Sequence, residues 1–288
     1  MNKSPSVITL TTDFGTSDVY VGVMKGVILN INPNVQVVDL THAIPPHDIH
    51  QAALSIYSSY RFFPKDAIHV IVVDPGVGSS RQAIVCQTDN AFFVCPNNGV
   101  LSYLLHKTET EDTHIPNAVL IENADYLLPK VSNTFHGRDI FAPIAAHLSL
   151  GVPLTDFGTP LQEFVRFSVP LVKRDENTLT GQVIKVDSFG NLITNISEDI
   201  LTQFLLSDQS NKTTAEKLHK QQDIIHYKIT AGSVHLNRLN SSYSESEPGE
   251  PLAIISSFGL LEISVNLGNA SARYGLKTGD EVRVKRFR

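Results

Sequence analysis

The chain has 288 residues, 42% apolar and 18% charged, with 23 Lys and Arg against 29 Asp and Glu for a formal charge of −6. That is the balance of a globular protein with one large domain or two ordinary ones. Mild acidity excludes a phosphate-backbone binder, which needs clustered basic residues, and no apolar run approaches the ~18 residues of a membrane-spanning helix.

Met1 to Ser6 lacks the apolar core and small-residue cleavage site of a signal peptide, so the sequence reads as cytoplasmic, with no membrane and no nucleic-acid partner. Val7 to Leu10 then reads as a strand. Tyr20 to Asn30 reads as a helix with Val23, Val27 and Ile31 on its apolar face. Val35 to Leu40 is a second strand, and Asp48 to Tyr60 a second helix with Asp48 as its N-cap. Ala67 to Val73 is an apolar run of buried-strand type. Gln82 to Thr88 and Ala91 to Cys95 read as strands joined at Asp89-Asn90, and Phe141 to Ser149 as a helix. Cys86 and Cys95 fall in those adjacent strands and read as buried reduced thiols, too few for a Cys-rich zinc site. This order predicts an α/β, Rossmann-like layered domain with a largely parallel sheet over residues 1–170.

Past Val169 to Asn177 the pattern changes to short strands punctuated by Gly and Ser. Thr180 to Asp187, Leu192 to Asn195, Ile224 to Thr230, Leu252 to Ser256, Glu262 to Asn266 and Glu281 to Lys285 predict a smaller all-β barrel domain over residues 178–288. Helix is expected there only at Ile200 to Leu206. Ser207 to Asp223 reads as a polar surface insertion, and Asn240 to Gly249 as a second loop. The four basic residues at the end, Arg283, Lys285, Arg286 and Arg288, are too few to imply nucleic acid.

Four segments carry polar groups where chemistry can sit. Asp13, in TTDFG after the first strand, stands at a strand's carboxyl end, where open α/β sheets bind ligands. It can accept from a ribose diol or cap the following turn. The segment lacks the glycines of a phosphate loop. Asp74 and Arg81 bracket the tight turn of VDPGVGSSR; they form either a structural ion pair or part of a site in which the arginine holds a carboxylate charged. His136, in NTFHGRD, has room beside Gly137 for a substrate, and Asp139 suits the start of the next helix. Asp187 and Asn191 flank Gly190 in DSFGN and can reach one polar ligand or close an ordinary β-turn. The remaining histidines show no metal-ligand spacing.

Taken in order, TTDFGTSDVYVGVMKG, IPPHDI, VDPGVGSSR, FHGRD, DSFGNLITN and SSFGLLEISVNLGNA resemble the S-adenosylmethionine hydroxide adenosyltransferases, relatives of the fluorinase and chlorinase, over nearly the whole chain. The resemblance implies hydrolysis of S-adenosylmethionine by water to adenosine and methionine, with no metal and no cofactor. It implies a homotrimer with substrate between neighbouring subunits. By the same resemblance Asp74, Arg81 and His136 handle the water, and Asp13 holds the ribose hydroxyls. Asp187 with Ser257 holds the amino-acid end, Asn191 contacts adenine, and backbone near Val265 and Leu267, with Glu262 nearby, completes the adenine pocket. Halogenating relatives lack this Asp and His, which points to water here. The alternatives are a halogenase, a non-catalytic sensor of S-adenosylmethionine or adenosine, and a metal-dependent phosphohydrolase using Asp13, Asp74, His136 and Asp139.

Overall fold

The structure, a computed structural model, describes residues 6–110, 116–206 and 226–287, so the polar insertion expected at Ser207 to Asp223 lies outside the described residues. The chain divides into two compact units, Met1–Val169 and Pro170–Arg288.

The first unit runs β1 (Val7–Thr12), α1 (Tyr20–Ile31), β2 (Gln36–Thr41), α2 (Ile49–Ser59), β3 (Ala67–Val72), β4 (Ala83–Gln87), β5 (Ala91–Pro96), α3 (Ser102–Thr110), β6 (Asn117–Leu120) and α4 (Ala142–Ser149). Its sheet has the order β2-β1-β3-β5-β4-β6. β1 pairs in parallel with β2 and β3, and β3 with β5; β4 is antiparallel to both β5 and β6. Strand alternation sends Val70 and Val72 into one core with Met24, Ile28 and Ile144, and Ile71 and Val73 into the other with Ala53, Ile56 and Leu104. Helices therefore cover both faces, which is why β3 reads as a continuous apolar run.

α1 corrects one expectation. Its buried residues are Val21, Met24 and Ile28, whereas Val23 is exposed. The helix YVGVMKGVILNI carries apolar residues on several faces, so periodicity alone does not choose among them. α2 starts as expected, with the Asp48 side chain accepting from the Gln51 amide at 2.8 Å. Cys86 and Cys95 are both buried free thiols, and burial pushes Cys86 up to about 12.

The second unit contains β7 (Lys173–Arg174), β8 (Thr178–Val186), β9 (Leu192–Ser197), α5 (Glu198–Leu205), β10 (Tyr227–Ala231), β11 (Val234–Leu236), β12 (Pro251–Ile255), β13 (Leu260–Val265), α6 (Ala270–Tyr274) and β14 (Glu281–Arg286). All its named pairings are antiparallel, in the order β11-β10-β14-β8-β9-β13-β12, with β7 beside β8. An isolated bridge joins Asn240 to Ile254 on the last strand of that order. One face of the sheet packs Leu192, Ile196, Leu261, Ile263, Val282 and Val284 into a core with Phe204 of α5. Ile193, Ile254 and Glu262 belong to the other set of the alternation and line a cavity instead.

Candidate active site

In the first unit, the parallel pairing of Thr12 with Val72 sets the ends of β1 and β3 side by side. Asp13 follows the first strand directly and Asp74 leaves the second two residues on, so both carboxylates stand at the carboxyl edge of the sheet. They line a cavity of about 340 Å3 together with His136 and the aromatic rings of Phe14, Tyr20 and Phe135. Those rings pack on one another with centroids 5.2 to 6.0 Å apart.

Arg81 lies behind Asp74. Its Nε donates to Asp74 Oδ1 at 3.0 Å and its Nη2 donates to Asp74 Oδ2, a two-pronged grip on one carboxylate. The two side chains are only 8% and 4% exposed. The guanidinium also sits 5.4 Å from the centre of the buried Phe141 ring. The same Nη2 lies 2.9 Å from His136 Nδ1. A guanidinium can only donate, so His136 Nδ1 accepts and the neutral ring carries its proton on Nε2. Burial and the Arg81 charge push His136 below the usual histidine range, against the opposing pull of Asp74, Asp139 and a backbone hydrogen bond to Ser132.

Two loops are locked to bring these groups together. Gly78 has φ +76°, and a Cβ there would lie 2.3 Å from the Asn133 carbonyl oxygen, so the Asp74–Arg81 turn seats directly on the segment leading to His136. Beyond His136 the chain takes a π-helical turn, Gly137–Phe141, a rare form that favours functional sites. Asp139 is buried; burial raises its pKa, but the hydrogen bonds of Arg138 and the Ser132 amide outweigh that and hold it below the usual range. It therefore fastens the His136 loop. Asp13 Oδ2 accepts from the His47 amide at 2.9 Å, and His47 itself has φ +67°, a strained backbone of the sort found at ligand sites.

The second unit has a larger cavity of about 900 Å3, lined by Asp187, Asn191, Ser257, Glu262, Val265 and Leu267, every position the sequence assigned to this side. Asp187 fixes its own turn: Oδ1 accepts from the Phe189 and Asn191 amides at 2.9 and 2.8 Å, and Oδ2 from Asn191 Nδ2 at 3.0 Å. Gly190, with φ +85°, lets that turn pack on Asn269, whose side chain a Cβ would meet at 2.1 Å. Glu262 is buried, and its Oε1 accepts from Tyr243 at 2.8 Å and Ser264 at 2.6 Å. Burial, then Glu262, drive the Tyr243 phenol upward, so it stays a donor. Tyr243 and Lys185 line this cavity and escaped the sequence reading. The only signal for Tyr243 is a lone aromatic residue in the Ser- and Glu-rich stretch from Asn240 to Gly249. Among the described residues no three His, Cys, Asp or Glu side chains gather to hold a metal ion, and no helix is long and apolar enough to cross a membrane.

The model of the SAM hydroxide adenosyltransferase N-terminal domain matches residues 8–158, and that of the C-terminal domain residues 181–283. The chain is 34% identical to the (R)-S-adenosyl-L-methionine hydrolase of Salinispora tropica over 96% of this chain and 97% of that one. A fluorinase of Actinopolyspora mzabensis is 26% identical over 98% of each chain. The crystal structure of an uncharacterized conserved protein from Thermotoga maritima superposes with a TM-score of 0.83 at 35% identity, covering 97% of this chain and 100% of that one.

Proposed function

The chain belongs to the SAM hydroxide adenosyltransferase family, and from that premise we propose that Asp74, Arg81 and His136 hold and activate the water of its reaction. The protein is a hydrolase that cleaves S-adenosylmethionine with water at the ribose 5′ carbon, giving adenosine and methionine. The observation that carries the catalytic assignment is Arg81 gripping the Asp74 carboxylate while donating to His136.

The chemistry asks little of the protein beyond placement. A sulfonium is already an activated leaving group, and methionine departs without protonation. The electrophile brings its own positive charge, so the reading includes no metal and no cofactor. What remains is to hold a water in line behind the 5′ carbon, and such positioning supplies up to ~7–11 kcal/mol. Each Asp74 oxygen keeps a lone pair beyond its arginine bond, so Asp74 is the group that takes the water's proton as the carbon–oxygen bond forms. His136, with Nδ1 occupied and its proton on Nε2, positions Arg81 and donates rather than accepts. Asp13 holds the ribose hydroxyls; its fixing by the His47 amide supports that role. In the second unit, whose sheet we read as a barrel domain, Asp187 and Ser257 take the amino-acid end. Asn191, Glu262 and the backbone at Val265 and Leu267 take adenine.

The same reading includes a homotrimer with sites completed between neighbouring subunits. It is supported by exposed apolar side chains at the cavity rims, among them Leu267 at 88% and Phe189 at 74%. A native mass of one chain in solution contradicts that part of the reading.

The catalytic set is tested by Asp74→Asn and His136→Ala. Asp74→Asn, which removes the proton acceptor, lowers kcat by about 10²–10⁴-fold, and His136→Ala lowers it by loosening Arg81, while substrate affinity by calorimetry stays close to wild type in both. Thermal melts run alongside, since Asp74→Asn leaves a buried arginine without its carboxylate. A folded Asp74→Asn enzyme with normal kcat contradicts the assignment.

A further inference from the structure

A methionine moiety is a zwitterion, and the second-unit cavity offers Asp187 for its ammonium but, Lys185 apart, no cation for its carboxylate. We propose that Lys185 is that cation and sets the preference for a substrate with an intact α-carboxylate. The inference rests on the hydrolase reading above and on three observations.

Lys185 is the single positively charged side chain among the described residues lining this cavity, against Asp187 and Glu262. No hydrogen bond or ion pair holds it among the described residues, whereas Lys25 on α1 is bound to Asp39 at 2.6 Å. A lysine at the edge of a cavity with two carboxylates and no bond to either is free to meet a ligand anion.

The local backbone explains why it stands there. Along β8, Val183 pairs with Thr194 and Lys185 with Ile193, so two steps on β8 match one on β9. That is a β-bulge, and bulges re-aim side chains beside sites. Val183 belongs to the buried core, yet Lys185, two residues on, lines the cavity with its partner Ile193. Without the bulge, period-two alternation returns position 185 to the core face.

The cross-strand register then completes a row. Lys185 on β8 pairs with Ile193 on β9, Ile193 with Glu262 on β13, and Glu262 with Ile254 on β12. All four line the cavity. A cation and an anion thus stand two strands apart, roughly 10 Å at the usual strand spacing, with an apolar residue between them. The thioether chain lies on Ile193, the carboxylate reaches Lys185, and the ammonium turns to Asp187.

The experiment compares two substrates with wild type, Lys185→Met and Lys185→Arg. One is S-adenosylmethionine; the other is S-adenosyl-3-(methylthio)propylamine, which lacks only the carboxylate. A charge-assisted hydrogen bond gives an effect of about 10- to 100-fold. Lys185→Met is expected to lose that factor in kcat/KM for S-adenosylmethionine and stay within about twofold of wild type on the decarboxylated compound. Lys185→Arg restores most of the preference. Equal losses on both compounds, or no loss on either, overturn the lysine assignment while the hydrolase reading stands. A wild type that leaves both compounds intact overturns the hydrolase reading and this inference with it.

Discussion

At the scale of single residues, the decisive feature is that Arg81 serves two acceptors at once. Because it cannot accept, its contact with Nδ1 fixes the His136 tautomer, and with it the division of labour between His136 and Asp74. Protonating His136 breaks that contact and sets a second cation against Arg81. His136 is pushed below 6.5, so the working neutral form persists at neutral pH and is lost only as pH falls through the lowered value. The acid limb of kcat/KM is therefore expected below pH 6.5, and a pH–rate profile that breaks above 6.5 contradicts the tautomer argument. The Asp74–Arg81 pairing is legible in the sequence because a proline and two glycines between them force a tight turn. The tautomer is not, since it depends on a contact across 55 positions. Lys185 is equally hidden: its direction is set by a bulge, which leaves no mark in residue type.

At the scale of elements, most strands and helices are legible because apolar runs and alternation report burial directly. The long run Ala67 to Val73 becomes β3 because helices cover both faces of the sheet. The failures have equally local causes. α1 is apolar on too many sides for its buried stripe to be chosen, and β6 has only four residues, too short for alternation to register. α3, β11 and α6 are short or interrupted by polar residues in the same way. The glycine turns carry a sharper consequence. Gly78 and Gly151 both have positive φ, but only at Gly78 does a Cβ meet backbone, while at Gly151 nothing lies within 4 Å. Gly151→Ala is expected to cost about 1–2 kcal/mol through φ alone. Gly78→Ala should cost more and also lower kcat, because the turn bearing Asp74 and Arg81 must move away from the His136 segment. Equal melting temperatures and activities for the two variants contradict that packing account.

At the scale of the whole molecule, six motifs in one order indicate the family before any contact is known, and the family models cover both units. The motif residues then fall into two cavities by chemistry: Asp13, Asp74 and His136 in the α/β unit, and Asp187, Asn191 and Glu262 in the β unit. What the motifs leave out is what surrounds them, including the Tyr243 phenol. The central claim is that water, held by the first of these groups, attacks the 5′ carbon. The most direct test incubates the protein with each sulfonium isomer in oxygen-18 water containing chloride and weighs the nucleoside. Adenosine carrying one heavy oxygen at its 5′ position is the predicted result. A 5′-chlorinated nucleoside, unlabelled adenosine, or no cleavage of either isomer contradicts it.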